Sequence, residues 1–293
     1  MISFIKNIMN RLLNIENIDK KLTELKILTG KSLLEKKNDS ENINDHELKI
    51  FSQFGEDGII NYLIKKIEIK DQTFIEFGVE DFEEANTRFL LEARNWKGLI
   101  FDSSNKNISK IKRKEYYWRY NLIAEKEFIT AENINEIIES KLKNEEIGLM
   151  SIDVDGNDYW IWKSLEVVKP KIIVIEYNAR FGSDKSVVVP YNKNFDRTVA
   201  HYSSIYFGAS LKALNMLAKT KDYSLVGTNL NGNNAFFVSN SELEKTKIKK
   251  KTPEECFHIN SFNELRDKSG KIAERNLEEE KKIFNQLPLE KVL

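Results

Sequence analysis

Cysteine is nearly absent: Cys256 is the only one in 293 residues. A single thiol excludes an intramolecular disulfide framework and a multi-cysteine metal site. A reducing, cytoplasmic compartment is expected, because bridges are commoner outside it. Net charge is absent too. Lys plus Arg and Asp plus Glu come to 46 each, so the chain lacks the global positive charge of a nucleic-acid binder. No apolar run approaches the ~20 residues that span a bilayer. The first fifteen residues, MISFIKNIMNRLLNI, are too polar for a signal sequence and hold no small-residue cleavage site. No repeat of fixed period appears, and the longest low-complexity tract is the lysine-rich 247–251. The turn Phe77-Gly78-Val79-Glu80-Asp81-Phe82 has one glycine, so there is no G-x-G-x-x-G; no G-x-x-x-x-G-K-[ST] occurs either.

The composition that is present, 41% hydrophobic and 31% charged, supports one large α/β domain with attached helices, or two modest domains. Residues 1–45 read as a helical extension. Ile2, Ile5, Ile8 or Met9, and Leu12 recur at helical spacing, and Leu22, Leu25, Leu28, Leu33 and Leu34 continue an apolar stripe. Such a helix packs on its own domain or a partner subunit, consistent with a homodimer, or lies on a membrane surface as a peripheral contact. A polar stretch at 38–45 marks the boundary. Residues 46–240 alternate short apolar runs with helical segments: strands at 74–77, 98–101, 127–130, 147–152 and 171–178, then an antiparallel pair at 223–227 and 235–238. Strands separated by helices predict a mostly parallel sheet with right-handed crossovers, a doubly wound Rossmann-like fold with a terminal antiparallel strand. The aromatic, polar stretch 179–206 is too long for a mere connection and is a candidate substrate lid. Residues 241–293 read as a charged C-terminal helical extension.

Chemistry is expected at the carboxyl ends of the strands, where open α/β sheets bind ligands. The run Ile147-Gly148-Leu149-Met150-Ser151-Ile152 breaks into Asp153, Asp155, Gly156, Asn157 and Asp158. This is either a site or a solvated strand-to-helix turn capped by Asp158. Glu76 precedes Gly78 at the end of the first strand, where a glycine lets a ligand approach the backbone. Asp102, followed by Ser103, ends the second strand, where nucleotide-binding α/β folds hold ribose hydroxyls. An acid there serves dinucleotide and S-adenosylmethionine binders alike, and the single-glycine first turn speaks against the former.

On FIEFGVED, GLIFDSS, LMSIDVDGNDYW and VIEYNARFG, with SLVGTNLNGNNAFFV as the closing strand pair, the chain resembles the S-adenosylmethionine-dependent methyltransferases. Within them it is similar to the bacterial FkbM-like group linked to sugar and natural-product O-methylation. The resemblance covers about residues 50–240. FSQFGEDGI and HYSSIYFGASLKAL look like parts of one of its bacterial subgroups. It implies S-adenosylmethionine as cofactor and methyl transfer to a hydroxyl of a sugar or surface-glycan precursor. Glu76 and Gly78 would line the methionine end, Asp102 and Ser103 the ribose, and Asp153 would face the sulfonium and substrate. Thr130 and Glu132 are adenine-side candidates. The chain departs from many methyltransferases in having Glu80 where they have a second glycine.

The proton released on O-methylation needs a base or a metal. His201, in the lid beside Tyr202, is the candidate base; a loop histidine with a structural role is the plainer reading. Asp155, Glu176 and Asn178 offer hard oxygen ligands from adjacent strand ends, suited to Mg²⁺; alternatively Glu176 and Asn178 hydrogen-bond loop backbone. Asn229, Asn231, Asn233 and Asn234 reach substrate hydroxyls or are turn residues. At least one of Trp160 and Trp162 is core. The short basic and aromatic patch 113–120 is not enough to expect nucleic acid in a neutral chain. Other readings are an N-methyltransferase, another small-molecule methyltransferase, or a catalytically silent fold that assembles through its terminal helices.

Overall fold

The computed structural model describes residues 2–36, 40–142 and 145–292. Its strands are β1 (Thr73–Phe77), β2 (Lys97–Asp102), β3 (Leu122–Lys126), β4 (Leu149–Ile152), β5 (Ile172–Glu176), β6 (Val187–Val188), β7 (Tyr223–Thr228), β8 (Asn234–Ser239) and β9 (Glu290–Lys291). Seven of them form a sheet in the order β3-β2-β1-β4-β5-β8-β7, and β6 pairs with β9 in a small second sheet. The pairs β1/β2, β1/β4, β2/β3 and β4/β5 are parallel, while β8 runs antiparallel to β5 and to β7. The fold is therefore α/β with a mostly parallel, Rossmann-like sheet.

Strands that are apolar at every position bury both faces. The side chains of Ile75, Phe77, Leu99, Phe101, Ile152 and Ile175 join one core, and Phe74, Ile100, Leu149 and Val174 join the other. Helices such as Arg88–Arg94 and Asp158–Ser164 cover these faces. Trp162 is fully buried, whereas Trp160 is half-buried and donates its indole N–H to the Val189 carbonyl at 2.9 Å. From β1 the chain moves outward through β2 and β3, then returns to place β4 on the other side. The order of strands thus reverses between β1 and β4, which opens a crevice at their carboxyl ends.

Two expectations are corrected. The third strand is Leu122–Lys126, not 127–130. It is an edge strand in which only Leu122 and Ala124 are buried, and its apolar run, Leu122-Ile123-Ala124, stops after three residues at Glu125 and Lys126. Residues 127–129 instead line the crevice. The C-terminal segment is not a helical extension. It contains the short helices Asn240–Leu243, Pro253–Cys256 and Leu277–Gln286, separated by irregular chain. Its Leu265, Ile283 and Phe284 pack on Phe181, Val187 and Tyr206 of the 179–206 segment, and its β9 pairs with β6. Apolar residues spaced by so many charges cannot bury themselves alone, and they shelter against the lid.

The N-terminal helix spans Ile2–Lys36. The side chains of Ile2, Ile5, Ile8, Met9 and Leu12 lie outside the described residues. Its other end packs Ile27 and Leu34 on Ile50, Phe51 and Phe89. Among the described residues no helix is long and apolar enough to cross a membrane. Below it, the FSQFGEDG stretch is a structural knot. One oxygen of the buried Asp57 accepts the backbone N–H groups of Ile50, Phe51 and Ser52 at 2.7–2.8 Å, and the Ser52 hydroxyl at 2.7 Å. Glu56 accepts from the Asn229 and Asn234 amides at 2.7 and 3.0 Å, which fastens the β7–β8 turn. Asn229 and Asn234 are thus held in the fold as turn residues.

Asp57→Ala leaves three buried N–H groups of the 50–52 backbone without an acceptor, and is expected to cost roughly 3 kcal/mol. Urea denaturation measures this; a loss within about 0.5 kcal/mol, the size of an ordinary surface change, would remove Asp57 from that role.

Candidate functional site

The crevice is built from the turns that follow β1, β2 and β4. Gly78 sits at φ +73°, and a Cβ there would stand 1.6 Å from the Asp153 carbonyl oxygen. Only glycine allows the first turn to pass this close to the end of β4. The N–H groups of Gly78 and Val79 donate to the Phe101 carbonyl at 3.0 and 3.4 Å. The N–H of Glu80, itself at φ 48°, donates to Asp102 Oδ2 at 2.9 Å. The N–H groups of residues 78–80 are therefore engaged within the protein, and the next helix begins only at Arg88. A pyrophosphate-binding turn needs those donors free at a helix N-terminus.

Asp102 also accepts from the Ser104 N–H at 2.8 Å and the Asn107 amide at 3.1 Å, both on Oδ1. A carboxylate has about four lone-pair sites, so about one remains for a ligand in the crevice it lines. The crevice has a cavity volume of ≈ 140 Å³, below the roughly 300–1,000 Å³ usual for small-molecule sites, so a cofactor-sized ligand would also fill its open mouth. Gly78, Asp102, Ser103 and Asp153 all line it, with Phe101, Phe128, Ile129 and Phe195 as apolar walls. Glu80, Asp102, Glu127, Asp153 and Asp155 place five carboxylates on it, and no lysine or arginine is among its lining residues.

Oxygen atoms of Asp153, Asp155 and Glu176 lie within 4.8 Å of one another, with Asp155 exposed and Glu176 buried. Glu176 Oε2 is buried without a hydrogen-bond partner. Burial, then the mutual repulsion of these carboxylates, holds the Asp153 and Glu176 carboxyls well above the usual range. Arg197 opposes that shift. Its guanidinium bonds Asp155 Oδ1 at 3.0 Å and Glu264 Oε1 at 2.6 Å, and stacks 3.8 Å over Phe207. Asp158, the buried first residue of its helix, accepts the N–H groups of Val154 and Gly156 at 2.8 and 2.9 Å and so shapes the turn between them.

The 179–206 segment closes one side. Asn157 donates to the Asn192 carbonyl at 2.9 Å, and the Phe195 ring sits where a side chain on Gly156 would project. Tyr191 donates to Glu132 at 2.7 Å, which ties the segment to the stretch after β3.

Several residues singled out from sequence take other positions. Glu76 is buried behind the crevice. Its two oxygens accept the Asn86 and Thr87 N–H groups at 2.9 and 3.1 Å and the Thr87 hydroxyl at 2.5 Å, so it positions the entry to the helix Arg88–Arg94. Asn178 is engaged by the loop backbone. Its Oδ1 accepts from the Arg180 N–H at 3.1 Å, and its amide donates to the Ile205 and Phe207 carbonyls at 2.8 and 3.0 Å, fixing the lid backbone. His201 is not among the crevice's lining residues. Its Nδ1 lies 2.6 Å from the Ser203 hydroxyl and 3.3 Å from the Ser203 N–H, so that nitrogen is engaged within the loop. Arg197 and Glu264 were missed because they lie in the lid and in a segment read as featureless helix; Asp196, a helix-capping residue just before Arg197, is the one local cue.

No family model matches the chain, and no curated protein matches it. Among solved structures it is similar to an O-methyltransferase family protein from Burkholderia thailandensis, at 9% identity and TM-score 0.38 over 59% of this chain and 53% of that one. It is also similar to an S-adenosylmethionine-dependent methyltransferase from Clostridium acetobutylicum, at 9% identity and TM-score 0.38 over 63% and 90%. TehB from Haemophilus influenzae matches at 12% identity and TM-score 0.39 over 63% and 62%. The chain spans about half the length of the Burkholderia protein.

Burial raises the Glu76 carboxyl from 4.5 to about 7. Between those values the folded chain keeps a proton that the unfolded chain has lost, so stability falls as pH rises from 4.5 to about 7. Asp57 and Asp158, each raised by burial to about 6, act in the same direction. Urea midpoints at the two ends of the window are expected to be higher at the acid end, with a smaller difference in Glu76→Gln. An unchanged difference in that variant would show that Glu76 does not carry the effect.

Proposed function

We propose that the protein is an S-adenosylmethionine-dependent methyltransferase that methylates a hydroxyl, with a sugar or surface-glycan precursor as acceptor. The observation that carries the cofactor part is the crevice's charge: five carboxylates, no basic side chain among its lining residues, and a first turn whose N–H groups are already engaged. Such a lining repels the pyrophosphate of a dinucleotide and favours a positively charged ligand. The O-methylation and glycan parts are supported by the resemblance to the FkbM-like group on the motifs quoted above.

The residues present fit that cofactor. Asp102, with about one lone pair left, would accept from a ribose hydroxyl, with Ser103 beside it. Phe128 and Ile129 would flank the adenine, and Gly78 and Asp153 the methionine end. When bound, the cofactor supplies a methyl group on a cationic sulfonium. Phe195, whose ring lies against Gly156, would cover that end. Asp153 would take the hydroxyl proton, since burial and its acidic neighbours raise its carboxyl's hold on a proton. A positive charge brought beside it favours the ionised form that accepts a proton.

A second reading is favoured by the carboxylate trio and the unpartnered Glu176 Oε2. Asp153, Asp155 and Glu176 would hold a Mg²⁺ ion, which would supply Lewis-acid activation of the acceptor oxygen. Arg197 would then give up its bond to Asp155.

Asp102→Ala is expected to weaken S-adenosylhomocysteine binding by about 1–3 kcal/mol in isothermal titration; unchanged affinity would take Asp102 out of the site. With an acceptor in hand, Asp153→Asn should abolish turnover while weakening cofactor binding only several-fold, since four of the crevice's five carboxylates remain. Glu176→Gln separates the two readings. Activity kept in that variant and in chelator supports Asp153 as base, and activity lost in both and restored by Mg²⁺ in the wild type supports the metal.

A further inference from the structure

Arg197 brings the lid's positive charge to the carboxylate trio, and every nitrogen of its guanidinium is committed. Nε donates to the Ser204 carbonyl at 2.7 Å, Nη1 donates to Asp155 Oδ1 at 3.0 Å, and Nη2 lies 2.6 Å from Glu264 Oε1. The Phe207 ring packs against it at 3.8 Å. Glu264 comes from the C-terminal segment, and its other oxygen accepts from the Arg180 guanidinium at 3.1 Å. One carboxylate of the tail thus brackets two arginines of the lid. Its neighbour Leu265 is fixed in the apolar cluster of Phe181, Val187 and Tyr206. On the crevice side Asp155 is exposed and sits at φ 56°, a left-handed conformation uncommon outside glycine. Asp158 holds that turn through the N–H groups of Val154 and Gly156. Arg197 therefore bonds the trio with one nitrogen, at its exposed member, while Glu176 Oε2 stays without a hydrogen-bond partner.

We infer that Arg197 is a specificity-determining residue of the crevice and Glu264 its positioning residue. Together they set how far the site prefers S-adenosylmethionine over S-adenosylhomocysteine, an inference that rests on the cofactor reading above. The two ligands share every group except the transferred methyl and the positive charge on sulfur. Five carboxylates along the crevice favour the charged one. A cation built into the lid works against that preference. Its field reaches past Asp155, since it also opposes the raised hold of Asp153 and Glu176 on their protons. A proton on those carboxyls can leave when a sulfonium arrives. A guanidinium cannot lose its charge, so Arg197 stays as a permanent counterweight. Glu264 keeps that counterweight partial. It offsets the guanidinium charge from the far side and occupies one of its nitrogens. Arg197 is thereby held to one carboxylate and kept from spanning Asp155 and Glu176.

Isothermal titration of the full chain with S-adenosylmethionine and with S-adenosylhomocysteine gives the ratio of the two affinities. A change of shape that weakens both ligands alike cancels in that ratio. Arg197→Gln is expected to raise it several-fold in favour of S-adenosylmethionine. Arg197→Lys keeps the charge and should leave it near the wild-type value. Glu264→Gln is expected to lower it, because the guanidinium loses its far-side counter-charge and is free to turn onto the trio. With both residues replaced by Gln, the ratio should follow Arg197→Gln, since Glu264 then has no cation to place. Arg180 leans on the same carboxylate, so if Glu264→Gln does not fold, the two Arg197 variants decide the matter. A ratio unmoved by Arg197→Gln, or moved equally by Gln and Lys, would overturn the inference and leave the cofactor reading intact. So would a Glu264→Gln variant that shifts the ratio in the same direction as Arg197→Gln. A wild-type chain that binds neither ligand would overturn both.

Discussion

Between the turn after β1 and the end of β4 there is no room for a side chain. The Gly78 backbone passes so close to the Asp153 carbonyl that a single added carbon would collide with it. That contact holds two neighbouring strand ends in register where the sheet's order reverses, and it sets the floor of the crevice. It also turns the N–H groups of residues 78–80 inward, onto the Phe101 carbonyl and the Asp102 carboxylate. A turn tied down in this way cannot serve as an anion cradle. What remains exposed along the crevice is carboxylate.

The concentration of acids at one sheet edge is costly for the fold, and the structure offsets it in three ways. Buried carboxylates such as Glu76 and Asp158 collect backbone and hydroxyl donors. Asp153 and Glu176 hold protons more tightly than free carboxyls do. Arg197 brings a guanidinium from the lid, anchored by Glu264 in the C-terminal segment. The lid and the C-terminal segment are thus part of the site's electrostatics, which explains why the C-terminal chain folds back over the domain. A ligand carrying positive charge relieves the same repulsion, and the cleft is better matched to it than to an anion.

Much of this was legible in the sequence where the local signal is strong. Continuous β-branched and aromatic runs located β1, β2, β4 and β5, and acids directly after them placed Asp102 and Asp153 at the crevice. The signal failed where a residue's partner is remote. Leu122, Ile123 and Ala124 form an apolar run too short to mark the edge strand. Glu76 and Asn178 sit at the right strand ends, but their hydrogen bonds to residues 86–87 and 205–207 are set by loops whose path the sequence does not state. His201 has its Nδ1 engaged by Ser203, two residues on. Arg197 meets Asp155 and Glu264 only after the lid and the tail have docked.

The most direct test is a side-by-side titration of the purified chain with S-adenosylmethionine and with NAD⁺. An acidic crevice without free turn N–H groups predicts saturable binding of S-adenosylmethionine and none of NAD⁺. Binding of NAD⁺ with no response to S-adenosylmethionine would contradict the electrostatic reading of the site and the methyltransferase proposal with it.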